Sequence, residues 1–389
     1  MHRESPPVSP RYRAGWGAAS LLAAAALSAC GSGGGGDSAP AKPVAAGMLR
    51  LALTDAPACG FDHVFVTLEK IRLHQSSTAL DTDPGWTDVP VTPARRIDLL
   101  TLTNGALQEL GTTPLPSGHY AQLRLVVGSD AAAPSVQPAG GQELPLSVAS
   151  SGLRIPVAFD IAAGQTSDLV LDVDACKSVV PAGSAGAYQL KAVGAVFPRS
   201  GTAIQGALAA SLPPSSTTVS AQQGGTTVRA TRPDSAGNFS IPYLQPGTYT
   251  LVIHSEGRAT GVVAGVPVDK GTTAVSTPSS AIALPESPMA VITGAASAST
   301  ASDTGATQDS MVTDGEVRAS QSLSGGDSIE IRSAPLDALL GTYRLAVPKA
   351  APVKATYSSS GSLSFTADPL DAGTYDVDLV LRDDDGSAD

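Results

Sequence analysis

Apolar and polar residues alternate along many short stretches of the chain, as they do in β-strands with one buried face. In the first stretch, Leu49, Leu51 and Leu53 alternate with polar or small residues, and Asp55-Ala-Pro57 ends the strand. The chain has 40 Gly and 30 Pro, a content typical of short strands joined by turns. One segment, residues 103–110, suggests a short helix. The other stretches predicted as strands are residues 120–127, 153–161, 169–173 and 188–197.

The alternation changes phase within the second predicted strand. Apolar residues occupy even positions in residues 64–68 but odd positions in residues 71–73. A one-residue slip turns the apolar side chains to the other face unless an extra residue is inserted into the strand. The sequence therefore predicts a β-bulge near Glu69-Lys70.

Turn-rich breaks divide the chain into units of domain size. Pro198–Thr202 and Leu284–Pro288 separate three groups of predicted strands. Because no helical pattern is long enough to serve as a crossover, antiparallel sheets are expected rather than parallel ones. The predicted fold class is therefore mainly β, with two to three antiparallel β-sandwich domains. Their predicted bounds are residues 48–198, 202–285 and 289–382, followed by an acidic, loose tail at residues 383–389.

The third unit repeats a short motif of the middle one. Gly-Thr-Tyr precedes an alternating strand at residues 247–249 and recurs at residues 341–343 and 373–375. In a sandwich, the glycine of such a turn is expected to take a positive φ, and the tyrosine ring to cover an end of the barrel. This internal similarity predicts that the third unit is a divergent repeat of the second.

The N-terminus carries the features of an export signal. Arginines at positions 3, 11 and 13 precede an apolar stretch, residues 14–27, that is too short to span a membrane as a mature helix. Leu27-Ser-Ala-Cys30 follows, and it resembles the lipobox of bacterial lipoproteins. The alternative is an ordinary secretory signal or a single span, with Cys30 as an incidental thiol.

The lipoprotein resemblance implies a signal peptide at residues 1–29 and lipid attached to Cys30, the first residue after cleavage. Residues 30–47 would then be the acylated Cys and a tether of Gly, Ser, Ala and Pro, and a flexible segment of this length spans roughly 20–25 Å. Residue 31 is Gly rather than Asp, which by resemblance to Gram-negative lipoproteins favours the outer membrane. The expected location is lipid-anchored there, on the periplasmic face or at the cell surface.

The charge of the exported chain argues against one class of partner. After residue 29 there remain 21 basic and 34 acidic side chains, a net charge near −13. Nucleic-acid binding needs clustered cations, so DNA and RNA are not expected as partners. The link to the membrane is expected to be the covalent lipid rather than a basic patch.

Two cysteines remain once Cys30 is assigned to lipid. Cys59 and Cys176 are an even pair in an exported protein, and the periplasm is oxidising. They predict one disulfide, which would close a long loop and stabilise the fold by about 2–4 kcal/mol. The alternative is two buried, reduced thiols.

Short motifs in the first two units resemble known families. Those of the first unit are Leu53-Thr-Asp-Ala-Pro57, Asp62-His-Val-Phe-Val-Thr-Leu-Glu-Lys70, the Trp86 turn, Arg96-Ile-Asp-Leu-Leu100, Leu115-Pro-Ser-Gly-His-Tyr120, Gln122-Leu-Arg-Leu125 and Leu171-Asp-Val-Asp-Ala-Cys-Lys-Ser-Val179. With them, residues 48–198 resemble a bacterial lipoprotein family, domain of unknown function 4382, a likeness that implies no activity. Through residues 231–239 and Leu244-Gln-Pro-Gly-Thr-Tyr249, the middle unit resembles a carboxypeptidase-regulatory-like domain, a transthyretin-type sandwich. Such modules are grouped with carbohydrate-binding-like folds, but fold likeness transfers no sugar-binding residue.

The sequence lacks the usual motifs of catalysis and metal binding. It contains no Gly-x-Ser-x-Gly elbow, His-Glu-x-x-His, Cys-x-x-Cys or P-loop. Four histidines remain after residue 29, so a catalytic triad assembled from distant residues is a weak hypothesis. We therefore expect no enzymatic activity, no cofactor and no metal site.

Three carboxylates, Asp168, Asp172 and Asp174, share one face of a predicted strand. Calcium binds several oxygens at once, so the three suggest a calcium site. The favoured interpretation is the solvated face of an alternating strand.

Trp86 is the one tryptophan after residue 29, and it lies in the turn at residues 83–88. Sugar-binding sites use aromatic platforms, which makes Trp86 a candidate ligand contact; the structural alternative is a ring that caps the sandwich. Lipidation, strand-only modules and missing catalytic motifs together predict a non-enzymatic cell-envelope lipoprotein. It would present β-sandwich modules for adhesion, scaffolding or partner binding, with an envelope protein or a glycan as partner. The alternatives are a carbohydrate-binding surface lipoprotein and, less favoured, a cryptic hydrolase.

Overall fold

The computed structural model describes residues 45–56, 60–129, 132–148, 153–183, 186–301, 307–360 and 362–382, which belong to one compact unit. The predicted signal peptide, Cys30, most of the predicted tether, Cys59 and the predicted acidic tail lie outside the described residues. Within the described part, no helix is both long enough and apolar enough to cross a membrane.

Three successive regions are distinguished below: the first region (residues 45–198), the middle region (199–288) and the third region (289–382). The elements of the first are β1 (Ala46–Ala56), β2 (Phe61–His74), β3 (Thr87–Asp98), β4 (Gln108–Pro116), β5 (Gly118–Val127), β6 (Ser135–Pro138), β7 (Leu144–Val148), β8 (Leu153–Ile161), β9 (Thr166–Asp174), α1 (Ala175–Ser178), β10 (Val179–Pro181), β11 (Tyr188–Leu190) and β12 (Gly194–Pro198).

The strands of the other two regions follow in chain order. Those of the middle region are β13 (Ala203–Ala207), β14 (Thr217–Gln223), β15 (Thr226–Thr231), β16 (Asn238–Pro242), β17 (Gly247–Ser255), β18 (Gly261–Val268) and β19 (Thr272–Ala274). Those of the third are β20 (Met289–Ala295), β21 (Ser297–Ala301), β22 (Thr307–Met311), β23 (Gly315–Ser322), β24 (Ser328–Pro335), β25 (Thr342–Pro348), β26 (Val353–Thr356), β27 (Thr366–Ala367) and β28 (Asp376–Leu381). Short 3-10 turns lie at Leu99–Thr101, Pro214–Ser216 and Pro278–Ser280.

The first region is a sandwich of two sheets around one apolar core. One sheet has the order β12-β9-β1-β4, and the other runs β10-β11-β7-β6-β2-β5-β8 with β3 also paired to β2. Apolar side chains of both sheets, such as Leu51 on β1 and Ile71 on β2, belong to the same buried cluster. The mainly β fold is therefore confirmed, although the sheets are not wholly antiparallel, because β1 pairs with β9 and β7 pairs with β11 in parallel.

The predicted bulge in β2 is confirmed. The pairing of β2 with β5 shifts register between Leu68 and Lys70, which leaves Glu69 as the extra residue. The pairing with β3 shifts at the same point, but there the longer segment is residues 91–94 of β3. The extra residue keeps both halves of the strand facing the core, since Leu68 and Ile71 are both fully buried.

Two local predictions in the first region are wrong. Residues 103–110 are not helical, because Asn104 and Gly105 both have positive φ (57° and 85°) and β4 begins at Gln108. Asn104 is held in this turn by the middle region, where its Oδ1 accepts the Ser240 N–H at 2.9 Å. The stretch 188–197 is two strands, β11 and β12, which join different sheets.

The middle and third regions share one sheet. The middle region pairs β16-β13-β19 in one sheet and β15-β14-β17-β18 in another, and β26 and β27 of the third region extend the second sheet through a parallel β18–β26 pairing. Val353 on β26 lies in the middle region's core cluster. The third region contributes three smaller sheets of its own, β20-β25, β21-β22 and β24-β23-β28. The predicted domain bounds stay predictions, but the break at residues 284–288 does not separate these sheets.

The Gly-Thr-Tyr turns differ in what they require of glycine. Gly341 and Gly373 have the expected positive φ (60° and 72°). Gly247 begins β17 without one, and a Cβ there would lie 2.8 Å from Gln223 Nε2. The hydroxyl of the buried Tyr249 donates to the Gln245 carbonyl at 2.8 Å, four residues earlier in the chain.

Candidate functional site

A buried ion pair joins the first and middle regions. Arg229 Nη2 on β15 lies 2.9 Å from Asp172 Oδ2 on β9, with both side chains at least nine-tenths buried. The Arg229 guanidinium also lies over the rings of Phe197 and Tyr243, 4.6 and 5.7 Å from their centroids. Burial raises the pKa of Asp172, and the charge of Arg229 opposes that rise. The predicted solvated face is therefore wrong at Asp172, because the middle region covers it.

The other two aspartates of the predicted row have separate partners. Asp168 lies 3.5 Å from Arg50 and 3.6 Å from Arg199, both measured between charged atoms. Asp174 Oδ1 accepts the Lys177 N–H at 3.1 Å and so caps α1. No group of three or more His, Cys, Asp or Glu side chains among the described residues is arranged to hold a metal ion.

A second polar contact joins the first and third regions. Lys177 Nζ on α1 donates to Glu316 Oε1 on β23 at 3.0 Å. Arg318 contributes a second cation to Glu316 at 2.6 Å. Burial opposes ionisation of Glu316, but the two cations outweigh it and lower its pKa. Asp337 accepts the Gly183 N–H at 2.9 Å and adds a further link.

A cavity of about 390 Å³ lies where the three regions meet. The first region contributes Asp174 and Lys177 to its wall. The middle region contributes residues 215–218 and 220, together with His254 on β17 and Glu256 just after the end of that strand. The third region contributes Glu330 and its neighbours on β24. We call this the junction cavity; its volume is within the range of small-molecule sites.

Arg332 and His254 are in direct contact at the junction cavity. Arg332 Nη1 and His254 Nε2 are 3.1 Å apart, so the guanidinium donates to a neutral imidazole. Burial, and then the charge of Arg332, lowers the pKa of His254 to about 3. Burial also lowers the pKa of Arg332, against the charge of Glu256. A hydrogen-bond acceptor without charge therefore orients Arg332.

A β-bulge shapes the third region's part of the wall. In the pairing of β23 with β24, Ala319 opposes Arg332 and Ser320 opposes Glu330, which leaves Ile331 as the extra residue. Bulges re-aim the side chains beside them. Glu330, Ile331 and Arg332 all line the cavity, although alternation along a regular strand would send neighbours to opposite faces.

Trp86 packs against a row of arginines on the first region. Arg72 and Arg124 oppose each other across β2 and β5, and their Cζ atoms lie 4.7 and 4.9 Å from the Trp86 ring centroid. The indole Nε1 donates to the Leu80 carbonyl at 2.9 Å, and the side chain is half-buried. Asp81 lies 2.7 Å from Arg72 and relieves the like charges. The structure thus gives Trp86 a packing role, and its role as a ligand contact stays a prediction.

The third region leaves part of its core side uncovered at β28. In the described part of the chain, β28 pairs with β23 alone. Leu379 opposes Val317 and Val377 opposes Ala319, so these four side chains share one face. Val317 and Ala319 are buried, yet Val377 and Leu379 are 40% and 39% exposed. The core's other wall includes the two-stranded sheet β20-β25, whose Leu345 and Val347 are buried.

Cys176 lies on α1 and lines the junction cavity. It is not a free thiol in the structure. Its expected partner Cys59 lies outside the described residues, so this disulfide stays a prediction. The strand pairing is in keeping with it, because Ala56 opposes Asp174, two residues before Cys176.

Sequence reasoning singled out Asp174 and Cys176 but did not bring them together with the rest of the junction cavity. His254 and Arg332 come from other regions, far away along the chain, and neither belongs to a recognisable motif. One signal was present: Leu251, Val252 and Ile253 are a continuous apolar run, which is typical of a strand covered on both faces. Val252 and His254 share the second face, which β24 covers.

Comparison with known proteins finds a family match for part of the chain. Residues 46–192 match the family described as Domain of unknown function (DUF4382), which confirms the resemblance of the first unit. No curated protein matches the sequence. Similar solved structures are the Bacillus anthracis TIE protein (12% identity, 78% of this chain and 44% of that chain, TM-score 0.15) and a streptococcal ancillary pilin (10%, 87% and 96%, 0.16). The chain thus spans less than half of the TIE protein, and likeness at these TM-scores supports no conclusion about fold or function. The likeness of the middle unit to a carboxypeptidase-regulatory-like domain stays a prediction.

Proposed function

We propose that this protein is a non-enzymatic lipoprotein of the outer membrane that presents a rigid block of β-sandwich regions to a partner. The partner is proposed to add an extended segment to the free edge of β28. The lipobox resemblance at Leu27–Cys30 supports the anchor. The exposed apolar edge of β28 carries the partner proposal.

The free edge of β28 has the properties of a strand-addition site. An unpaired strand edge offers N–H and C=O groups to an incoming strand, and apolar side chains give such an addition its energy. Val377, Leu379 and Leu381 are each about two-fifths exposed. Soluble proteins usually blunt such edges with charges or cover them, so an apolar edge suggests a partner.

Charge defines the chemistry of the partner segment. Asp376 and Asp378 are exposed and alternate with the apolar residues of β28. Three more aspartates follow at residues 383–385, and the exported chain carries a net charge near −13. A second copy would bring like charges together, whereas a strand that alternates apolar and basic residues would match both faces.

A peptide titration tests the edge. The probe is a short fluorescent peptide that alternates valine and lysine, added to the detergent-solubilised full chain while anisotropy is measured. We expect saturable binding that weakens at least tenfold, or about 1.4 kcal/mol, in Leu379→Glu. The new carboxylate attracts lysine, so a loss can be assigned to the missing apolar contact.

The controls separate the edge from general stickiness. Leu80→Glu changes an exposed leucine of the first region and should leave binding unchanged. A peptide that alternates valine and glutamate should bind at least tenfold more weakly than the lysine peptide. Equal binding of the two peptides would contradict the charge argument, and an unaffected Leu379→Glu would contradict the site.

Lipid anchoring needs its own test. Metabolic labelling with a palmitate analogue should label the protein, and Cys30→Ser should abolish the label and release the protein from the membrane fraction. Gly31→Asp should move the labelled protein from the outer to the inner membrane fraction. Unchanged labelling of Cys30→Ser would show that Cys30 is not the lipidation site.

A further inference from the structure

We propose that the junction cavity binds a small zwitterion, such as a free amino acid, with the carboxylate of the ligand on Arg332 and its ammonium group near Glu330 and Glu256. This site is separate from the edge of β28. It rests on charges of both signs that line one cavity without pairing to each other.

Arg332 is a largely buried cation without an ion-pair partner among the described residues. Its hydrogen-bond partner is the neutral His254, and in the described part of the chain no carboxylate oxygen lies within 4 Å of its guanidinium nitrogens. A largely buried charge without an opposite charge is costly to maintain. A ligand carboxylate would supply the opposite charge, and the planar guanidinium can bind both of its oxygens.

The acidic side of the cavity is equally unpaired. Glu330 is 7% exposed, and its Oε2 accepts the Thr227 N–H at 3.2 Å. Glu256 is exposed at the cavity wall. Neither carboxylate has a cation within ion-pair distance among the described residues, and Lys177, the other cation of the wall, is paired with Glu316.

These charges select the class of ligand. A simple anion would meet the carboxylates of Asp174, Glu256 and Glu330, and a simple cation would meet Arg332, so each would be partly repelled. A zwitterion satisfies both, because its opposite charges lie a few ångströms apart. Glu330 and Arg332 flank the bulged residue Ile331 on β24, and both line the cavity. The two charged ends of one small molecule can therefore meet both side chains within the same cavity.

The remaining wall suits a compact polar ligand. A cavity of about 390 Å³ accommodates an amino acid or a short peptide. Its hydroxyl groups offer further donors and acceptors, because none of the following makes a side-chain hydrogen bond to another described residue: Ser215, Ser216, Thr218 and Ser333.

A calorimetric titration of the wild-type protein is the primary test. The detergent-solubilised full chain is titrated with each of the common amino acids, and with acetate and methylammonium as probes that carry one charge. We expect at least one amino acid to bind, with acetate and methylammonium at least tenfold weaker. No binding of any amino acid up to about 10 mM, or acetate binding as tightly as the best amino acid, would overturn the proposal.

Matched variants locate the site. Arg332→Gln and Glu330→Gln should each weaken binding of the best amino acid at least tenfold. Arg95→Gln and Glu69→Gln make the same changes at exposed positions of the first region and should leave it unchanged. If Arg332→Gln does not fold, Arg332→Lys keeps the charge but loses the two-pronged contact, and it should bind more weakly than wild type. Unaltered affinity in a folded Arg332 variant would refute the site.

Discussion

The first and third regions are built from the same kind of strand, yet they bury their apolar residues very differently. In the first region, two large sheets enclose one extensive buried cluster. The principal core cluster of the third region has six buried members in the described part of the chain: Ala296, Val317, Ala319, Leu336, Leu345 and Val347. Nine large apolar side chains are exposed among all the described residues of the chain. Eight of them belong to the third region, and the ninth is Leu80 of the first region.

The difference shows what an alternating pattern leaves undetermined. Alternation states which face of a strand is apolar, but it does not state how many strands lie opposite that face. In the first region the opposite sheet is wide enough, so Leu171 on β9 is fully buried. In the third region Leu379 on β28 obeys the same pattern but lies at the open edge. An apolar strand with too little sheet opposite it is where a partner segment would be stabilising.

Truncating one leucine in each region should give the largest difference between the first and third regions in the free energy of unfolding that is lost. Leu171→Ala leaves a cavity in a closed core and should lower the free energy of unfolding by about 2–5 kcal/mol. Leu379→Ala removes a side chain that water already reaches and should cost no more than about 1 kcal/mol. Urea unfolding followed by tryptophan fluorescence measures both. Equal losses would mean that β28 is covered in solution, and the open-edge interpretation would fail.

Much of the fold could be predicted because it depends on local pattern. The strands β1, β2, β5 and β8 and the bulge at Glu69 all follow from the positions of neighbouring apolar residues. The turn at Asn104 could not be predicted, because its conformation is fixed by Ser240 of the middle region. The burial of Asp172 was missed for the same reason: Arg229, which pairs with it, comes from another region.

The candidate sites were predicted less well than the fold. Trp86 was singled out by residue type, but the structure commits its Nε1 to Leu80. Arg332 and Glu330 were not singled out at all, since a strand with mixed charges usually has a solvated face. Their proximity to His254 and Glu256 depends on how the middle and third regions pack, and packing between regions leaves no periodic signal in the sequence.

The expected disulfide should stabilise the first region alone, because the third region has no cysteine. Its removal should therefore produce a second, smaller difference between the two regions. A Cys59–Cys176 bridge would tie the segment after β1 to α1, and its reduction should lower the free energy of unfolding by about 2–4 kcal/mol. Hydrogen exchange with and without reductant should show faster exchange in α1 and the end of β9, and unchanged exchange in β28. Alkylation of both cysteines in the unreduced protein would contradict the bridge.

The smallest expected effect concerns the pH dependence of stability. The contributions of Asp174 and Asp337 to the free energy of unfolding should change with pH in opposite directions. Burial raises the pKa of Asp174 in the first region to about 6, although Lys177 opposes it. In the third region, burial opposes ionisation of Asp337, but the N–H groups of Leu339, Gly183 and Leu340 outweigh it and lower the pKa. Asp174 therefore contributes most to stability below its ordinary pKa, when it is protonated, and the contribution falls as the pH rises through about 6. Asp337 contributes stability above its ordinary pKa, and the contribution disappears as the pH falls through its lowered value.

Asparagine at each position should remove these two opposite trends. Relative to wild type, Asp174→Asn should gain stability between about pH 4 and pH 6, by about 3 kcal/mol at most, with no further change above that range. Asp337→Asn should lose stability at pH 7, and the loss should vanish in acid, where the carboxylate of the wild type is protonated. Asp55 and Asp172, whose pKa values burial also raises, are present in both proteins of each comparison. Urea unfolding at a series of pH values gives both curves. A pH-independent difference for Asp174→Asn would show that water reaches this carboxylate, and the packing of α1 against the third region would then be looser than the contact between Lys177 and Glu316 implies.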